Sequence, residues 1–156
     1  MTVDIIGPPL SPLACSWKDK QMKTPLTIDE IMHPFPHTVG SNQTLAVVKE
    51  MFRQHGIRHL PVCDRGKLCG ILSERDVDFA LRVDKESAEN LLVKDCCTPE
   101  PYAVSASTPT DVVVRKMAQE KIGCAVITEK DRVVGIFTTV DACRALAELL
   151  STAKEQ

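Results

Sequence analysis

The sequence predicts an α+β fold made of two tandem β-α-β-β-α units that pack sheet to sheet with pseudo-two-fold symmetry. The first observation is a gapless internal match at an offset of 65 residues, which places Gly70 on Gly135 and Asp76 on Asp141. The second is a helical apolar period followed by two short apolar runs, present in both copies. The third is size, because a unit of roughly sixty residues buries too small a share of its surface to be more than marginally stable alone.

The clearest pattern in each copy is an amphipathic helix followed by a β-hairpin and a second helix. In the first copy Leu45, Val48 and Phe52 lie on one helical face, and Gly56 follows where a left-handed C-terminal cap is expected. Turn residues then separate two apolar runs of strand length. The predicted helices span residues 44–55, 77–83, 110–121 and 140–150, and the predicted strands span residues 57–63, 68–72, 123–128 and 133–137.

The repeat also predicts the domain organisation. Residues 26–84 form the first unit and residues 91–150 the second, joined by a charged and polar connector. Residues 1–25 have no counterpart in the repeat, and we expect an arm that is partly disordered or packs on the module. Residues 151–156 form a C-terminal tail.

Composition indicates a cytoplasmic globular protein. The chain is 44% hydrophobic and 26% charged, and no apolar run approaches the ~18 residues that span a bilayer. Gly7, Pro8 and Pro9 interrupt what could have been the apolar part of a secretory signal. A net charge of −2 with no basic cluster disfavours nucleic acid as a partner. We therefore expect neither a membrane nor a nucleic-acid partner.

The seven cysteines and four histidines predict no metal site and no catalytic residue. The cysteines form no CxxC pair, and we interpret them as buried or incidental thiols. The spacings of the histidines match no common zinc site. Cys96 and Cys97 copy the position of Ile31 and Met32, which favours packing over nucleophilic chemistry. No general-base dyad or phosphate-binding loop is present, so we expect a protein that is not an enzyme and requires no cofactor.

The ordered motifs resemble those of the CBS domain, named after cystathionine β-synthase. The resemblance lies in the run Ile-Arg-His-Leu-Pro-Val at residues 57–62, the turn at residues 64–67 and the run Gly-Ile-Leu-Ser-Glu-Arg-Asp at residues 70–76. It extends to residues 31–34 and, in the second copy, to residues 135–141. The order of motifs occurs twice and covers about residues 26–150, as in a CBS pair, or Bateman module.

The resemblance implies a stand-alone regulatory module. Such pairs bind adenosine-containing ligands (AMP, ADP, ATP, NAD or S-adenosylmethionine) in clefts between the two copies, form homodimers, and switch a partner. An adenine nucleotide would then be the regulatory ligand and a separate, unknown protein the effector. The alternative is a constitutive dimerisation or interaction module whose clefts are vestigial.

The pattern Ser73-x-x-Asp76, repeated as Thr138-x-x-Asp141, has two interpretations. As a capping box it needs no ligand, because Ser73 and Asp76 satisfy the first backbone groups of a helix. The resemblance implies instead that each aspartate binds a ribose and that each hydroxyl lies near a phosphate or ribose. A helix N-terminus suits a phosphate, so both interpretations use the same geometry.

The two copies differ in their basic residues. The first carries Arg58, His59 and Arg75, whereas the matching residues of the second are Gly123, Cys124 and Val140. The resemblance implies that Arg58 and His59 face ligand phosphates, which charge-assisted donors bind more strongly than neutral ones. Their alternative role is a solvated strand end. The first copy is therefore the predicted site of a phosphate-bearing ligand, and the second is weaker.

The resemblance also implies an adenine pocket built from the extended segment before the first helix and the following strand. Backbone groups would read the base edge while small apolar side chains flank the ring. Ordinary core and strand residues are the alternative interpretation. The implied residues are Thr38, Val39, Leu60 and Pro61 in the first copy, and Val104, Ala125 and Val126 in the second.

Overall fold

The structure is a computed structural model that describes residues 26–83 and 90–152. The arm predicted over residues 1–25 and most of the tail predicted over residues 151–156 lie outside the described residues. The described helices are α1 (Leu45–His55), α2 (Glu74–Val83), α3 (Val93–Cys96), α4 (Thr110–Glu120) and α5 (Thr139–Thr152), with a 3-10 helix at Ile28–Glu30. The strands are β1 (His33–Pro34), β2 (Val39–Gly40), β3 (His59–Asp64), β4 (Lys67–Ser73), β5 (Thr98–Pro99), β6 (Ala103–Val104), β7 (Cys124–Glu129) and β8 (Arg132–Thr138).

The repeat appears in the structure element by element, which confirms the α+β prediction. Gly56 ends α1 with φ +61°, as expected of a left-handed cap, and Lys121 adopts the same geometry after α4 without being glycine. Helix α2 begins at Glu74, three residues earlier than predicted, because the cap at Ser73 starts the helix directly after β4. The two hairpins, β3–β4 and β7–β8, have matching registers and a bulge at the same place.

The two sheets exchange their first strands. One sheet has the order β2-β3-β4-β5 and the other β1-β8-β7-β6. Strand β1, which opens the first copy, pairs with β8 of the second (His33 opposite Ile136), while β5 of the second copy pairs with β4 of the first (Thr98 opposite Ile71). We call residues 28–34 and 93–99 the exchanged segments.

Two lobes result from this exchange. The first lobe contains β2–β5 and α1–α3, and the second contains the 3-10 helix, β1, β6–β8, α4 and α5. The unit boundaries at residues 26–84 and 91–150 follow the sequence repeat and stay a prediction. In space each lobe takes its opening segment from the other unit.

Each exchanged segment also supplies a core side chain to the lobe that receives it. Val93 is fully buried with Leu60 and Leu72 in the first lobe, and Ile28 is fully buried with Phe137 in the second. Burying an aliphatic side chain of this size stabilises a fold by about 1.5–3 kcal/mol. The exchange therefore fixes the two lobes to each other through their cores as well as through their sheets.

The lobes meet through the sheet faces that point away from the helices. Leu60 and Val62 of β3 lie in the first core, so Pro61 between them is buried on the opposite face. In β7, Ala125 and Ile127 lie in the second core, and Val126 between them is buried on the opposite face. Strands β4 and β8 contact each other across this boundary. The predicted sheet-to-sheet packing is confirmed.

Glycine at two matched positions lets each exchanged segment approach its new neighbour. A Cβ atom at Gly70 would lie 2.8 Å from Cys97 Sγ and 3.1 Å from the Thr98 carbonyl oxygen. A Cβ atom at Gly135 would overlap the side chain of Met32. The match of Gly70 and Gly135 in the repeat is explained by this contact.

Candidate ligand-binding site

In the first copy the junction of β4 and α2 forms a capping box. Asp76 Oδ2 accepts hydrogen bonds from the Ser73 backbone N–H (2.9 Å) and from Ser73 Oγ (2.6 Å), and the Asp76 N–H donates to Ser73 Oγ (3.3 Å). A cap of this kind contributes about 1 kcal/mol. The capping interpretation of the sequence is therefore confirmed, and it fixes the position of the Asp76 carboxylate.

The second copy repeats these three hydrogen bonds with Thr138 and Asp141, at 2.9, 2.7 and 3.4 Å. It adds a fourth, because Arg144 Nη1 donates to Asp141 Oδ1 at 3.0 Å, leaving the Asp141 side chain 15% exposed. The residue that matches Arg144 in the first copy is Phe79, which is 70% exposed. Within the described part of the chain, no hydrogen bond reaches Asp76 Oδ1.

The charged residues of the first copy lie around His59. His59 opens β3 directly opposite Ser73, and the Arg58 carbonyl accepts a hydrogen bond from the Glu74 N–H at 3.0 Å. Burial lowers the pKa of His59, Arg58 lowers it further, Asp76 raises it and Arg75 lowers it. The structure thus brings together the four predicted residues Arg58, His59, Arg75 and Asp76.

The lowered pKa refines the predicted role of His59. At neutral pH its imidazole is uncharged, so it offers a neutral donor and the positive charge comes from the exposed Arg58 and Arg75. His59 also lies against the second copy, since a Cβ atom at Gly123 would be 3.0 Å from His59 Nε2.

The matching site of the second copy is uncharged at these positions. Gly123 accepts a hydrogen bond from the Thr139 N–H at 3.0 Å, as Arg58 does from Glu74. Burial raises the pKa of the Cys124 thiol to about 12, so it stays neutral. Val140, which matches Arg75, is a half-exposed hydrocarbon. The second site keeps the hydrogen-bonded frame and lacks the cations.

The predicted adenine-pocket residues of the first copy come together in space. Parallel pairing of Val39 with Val62 sets Thr38 and Val39 beside Leu60 and Pro61. Thr38 is exposed, whereas the side chains of Val39 and Leu60 are in the hydrophobic core. A ligand could reach the latter two only through their backbone.

The same holds in the second copy, where pairing of Val104 with Ile127 sets Val104 beside Ala125 and Val126. The side chains of Ala125 and Val126 are fully buried, and that of Val104 is half-buried.

The sequence reasoning missed the contribution of the exchanged segment. Burial raises the pKa of the Cys96 and Cys97 thiols most strongly, and the Asp76 charge raises both further. Helix α3, which ends at Cys96, contacts α2. The site in the first copy therefore borders on α3 and β5. The only signal in the sequence was that residues 96–97 occupy the repeat position of residues 31–32.

Metal-ligating and thiol side chains were compared across the described residues. Among residues 26–83 and 90–152, no group of three histidine, cysteine or acidic side chains is arranged to hold a metal ion. Burial raises the pKa of the Cys63 and Cys69 thiols, so neither is activated as a nucleophile. In the same ranges, none of the helices has the length and hydropathy to cross a bilayer.

Two curated relatives are similar to much of the chain. An L-aspartate semialdehyde sulfurtransferase of Methanocaldococcus jannaschii is 33% identical over 130 residues, which are 81% of this chain and 25% of that protein. Hypoxic response protein 1 of Mycobacterium tuberculosis is 29% identical over 127 residues, covering 78% of this chain and 86% of the relative. The chain spans about a quarter of the sulfurtransferase and most of the hypoxic response protein.

Solved structures have the same fold. AcuB of Vibrio cholerae, described as an acetoin utilization protein, matches with a TM-score of 0.76 and 28% identity over 85% of this chain and 98% of its own. The CBS domain pair of protein MJ0100, in complex with 5′-methylthioadenosine and S-adenosyl-L-methionine, matches with a TM-score of 0.72 and 27% identity over 80% of this chain and 98% of its own. The model of the CBS domain matches residues 28–82 and again residues 93–148. This chain belongs to the CBS-domain family and carries the domain as a tandem pair.

Proposed function

We propose that this CBS pair acts in the cytoplasm as a regulatory sensor of an adenosine-containing nucleotide and modulates a separate effector protein. The ligand binds beside Ser73 and Asp76, in the cleft between the copies, and no catalytic step or cofactor is involved. The observation that carries the proposal is the Asp76 carboxylate. Its Oδ2 is fixed by Ser73, whereas no described residue donates to its Oδ1.

The chemistry suits a ribose and a phosphate together. A ribose presents two adjacent hydroxyl donors, and a fixed carboxylate accepts from such a pair, as acidic residues do in dinucleotide-binding folds. The N-terminus of α2 directs backbone N–H groups and a positive dipole end outward, which suits a phosphate. Arg58 and Arg75 add charge-assisted donors.

The MJ0100 pair supports the choice of ligand class, since it was crystallised with two adenosine derivatives. Neither of those ligands bears a phosphate. Within the same class, the two arginines of the first copy here favour AMP, ADP, ATP or NAD over S-adenosylmethionine. The second copy lacks these cations, and Arg144 already occupies Asp141 Oδ1. The second copy therefore binds the ligand more weakly or remains empty.

The test is the melting temperature of the purified chain with AMP, ADP, ATP, NAD and S-adenosylmethionine. A ligand that binds only the folded state raises it by mass action. Asp76→Asn should remove most of the increase, because the amide oxygen can still cap α2 but the charge is lost. Asp141→Asn is the matched control and should preserve the increase. If no ligand of the panel raises the melting temperature, the proposal is wrong.

We also propose that the chain forms a homodimer through α2 and α5. These helices expose large apolar side chains, and monomeric proteins seldom expose contiguous apolar patches of this kind. Sedimentation should give a dimer that Phe79→Asp dissociates. Phe35→Asp removes an exposed phenyl group that lies outside α2 and α5 and should leave the dimer intact. The exposed residues are Phe79 and Val83 on α2 and Leu146, Leu149 and Leu150 on α5.

The second candidate is a constitutive dimerisation module with vestigial clefts. One observation favours it, namely that both oxygens of Asp141 are already satisfied within the chain. This candidate predicts no thermal shift with any nucleotide and a dimer that Asp76→Asn leaves unchanged. If a nucleotide raises the melting temperature of the wild type and not that of Asp76→Asn, the vestigial-cleft candidate is excluded for the first copy.

A further inference from the structure

The turns of the two hairpins meet at the boundary between the lobes and enclose a cleft. The Leu68 N–H lies 3.4 Å from the Asp131 carbonyl oxygen, and Lys67 Nζ lies 3.4 Å from Asp131 Oδ2. The cleft has a volume of about 550 Å³ and extends to Thr38 and Cys63. It is therefore built from both copies of the repeat.

Cations dominate its lining. Arg65 and Lys67 come from the first turn, Lys130 and Arg132 from the second, and Asp131 is the one carboxylate among the lining residues. Within the described part of the chain, Arg65, Lys130 and Arg132 form no ion pair. This concentration of positive charge is notable in a chain whose net charge is −2.

Two further carboxylates belong to the same hairpins as the lining cations. Asp64 lies opposite Lys67 in the register of the first hairpin, and Glu129 lies opposite Arg132 in the second. Neither residue lines the cleft. They reduce the overall positive charge of the turns, but the lining of the cleft itself contains four cationic residues and one carboxylate.

The backbone gives a second, independent observation. Both turns have positive φ at their two central residues: +48° and +79° at Arg65 and Gly66, and +48° and +64° at Lys130 and Asp131. Such turns favour asparagine, aspartate or glycine at the first central position. Both copies instead place a long cation there, at matched positions of the repeat. Backbone conformations that a residue disfavours are retained preferentially at functional sites.

The cations of the cleft are remote from the Asp76 carboxylate, although the cleft extends to Thr38 of the predicted adenine pocket. Lys67 and Ser73 are the two ends of β4. A strand of this length spans roughly 20 Å at ~3.3 Å per residue. One mononucleotide is too short to place its ribose at Asp76 and its phosphates between the turns.

We propose that this cleft binds a linear polyphosphate anion, either an inorganic polyphosphate or the triphosphate tail of a nucleotide. Several linked phosphates can contact cations of both turns at once, and guanidinium groups bind phosphate oxygens in pairs. Such a ligand bridges the two lobes. The inference goes beyond the proposed function and does not depend on it.

The test is titration calorimetry of the full chain with inorganic tripolyphosphate at low salt. The double variant Arg65→Asn/Lys130→Asn removes two cations, and asparagine tolerates positive φ, so the turns are preserved. We expect its dissociation constant to rise about tenfold or more, because hydrogen bonds to charged groups are lost. The single variant Arg65→Asn should give an intermediate value, and the melting temperature of each variant checks that it is folded.

The matched control is Lys49→Gln/Arg115→Gln, which removes the same charge from exposed positions of α1 and α4. It should leave the dissociation constant within about twofold of the wild-type value, apart from a small effect of net charge. Equal weakening in both double variants, unchanged affinity in the asparagine variant, or no binding of tripolyphosphate would each overturn the proposal.

A second titration distinguishes the two sources of the ligand. It measures tripolyphosphate binding to Asp76→Asn in the presence of ATP. If ATP competes, the cleft accepts the triphosphate tail of a nucleotide. If tripolyphosphate binds and ATP does not compete, the ligand is an inorganic polyphosphate. Either result supports the cleft. AMP binding at Asp76 should be unchanged in the asparagine double variant, so failure here is separable from failure of the proposed function.

Discussion

The two capped aspartates have the same frame and different neighbours. Asp76 and Asp141 each accept two hydrogen bonds from the residue three positions earlier, at distances that agree within 0.1 Å. Among the residues that the structure describes, Asp141 alone accepts a third, from Arg144. The difference follows from one repeat position, which holds phenylalanine at residue 79 and arginine at residue 144. The repeat thus preserves the hydrogen-bonded frame, and in the proposed function a single departure from it leaves Asp76 Oδ1 for a ligand.

The largest expected effect concerns the exchanged segments. Gly70→Ala should reduce the free energy of unfolding by about 1–3 kcal/mol, because the new Cβ meets the backbone oxygen of Thr98 as well as Cys97 Sγ. Gly135→Ala should cost less than about 1 kcal/mol, since only the flexible side chain of Met32 must move. Urea unfolding of both variants measures the difference. A larger loss in Gly135→Ala would reverse the comparison.

The next effect concerns residue 79. Phe79→Arg should reproduce the second copy by placing a guanidinium on Asp76 Oδ1, which would then be unavailable to a ribose. Partly exposed ion pairs of this kind are worth about 0.2–1 kcal/mol, so AMP affinity should fall by about twofold to fivefold. Phe79→Gln removes the phenyl group without adding charge and is the control. Titration calorimetry gives both values, and equal losses in the two variants would contradict the role of Arg144.

The reciprocal change is Arg144→Phe, which releases Asp141 Oδ1. We expect a measurable second binding event for 5′-methylthioadenosine, which needs no phosphate contacts, and a weaker gain for AMP. The gain is bounded by the same ~1 kcal/mol, about fivefold in affinity. Equilibrium dialysis measures the stoichiometry and the affinity. The control is Arg144→Lys, which keeps a cation at this position. An unchanged stoichiometry and affinity would mean that the second site is closed for another reason.

The smallest effect is a pH dependence of stability confined to the first copy. Burial, and then Arg58, lower the pKa of His59 in the folded protein below the ordinary value of 6.5. The unfolded chain therefore takes up a proton before the folded chain does, and the free energy of unfolding decreases as the pH falls below about 6.5. The loss should be about 1 kcal/mol or less per pH unit.

His59→Gln removes the titrating group and should flatten this part of the stability profile. Unfolding curves of wild type and variant should run parallel above pH 6.5 and diverge below it. The matched position of the second copy does not titrate in this range, because burial raises the pKa of Cys124 to about 12. Curves that stay parallel down to pH 5 would contradict the assignment.

The sequence was most informative where structure is local. Helical periodicity located α1 and α4, Gly56 marked the end of α1, and the spacing of Ser73 and Asp76 predicted the capping box. Each of these depends on residues within a few positions of one another, so a pattern in the chain is sufficient. The Asp141–Arg144 pair was not predicted, although an i, i+3 spacing of opposite charges was a signal for it.

The exchange of β1 and β5 could not be read in this way. A strand of two residues has no alternation, and its partner is chosen by tertiary packing around Ile28 and Val93 rather than by its own sequence. The same reason applies to the approach of His59 to Gly123 and to the cleft between the hairpin turns. All three depend on residues far apart in the chain.

The exchanged segments give the molecule the geometry of a domain-swapped dimer whose two protomers share one polypeptide. A single unit produced alone would lack the edge strand and the buried aliphatic residue that its lobe takes from the other copy. It could complete itself only by associating with a second molecule. Covalent connection replaces that association with an intramolecular one at high effective concentration. It also allows the two halves to diverge in sequence, which a symmetric homodimer of single units cannot do.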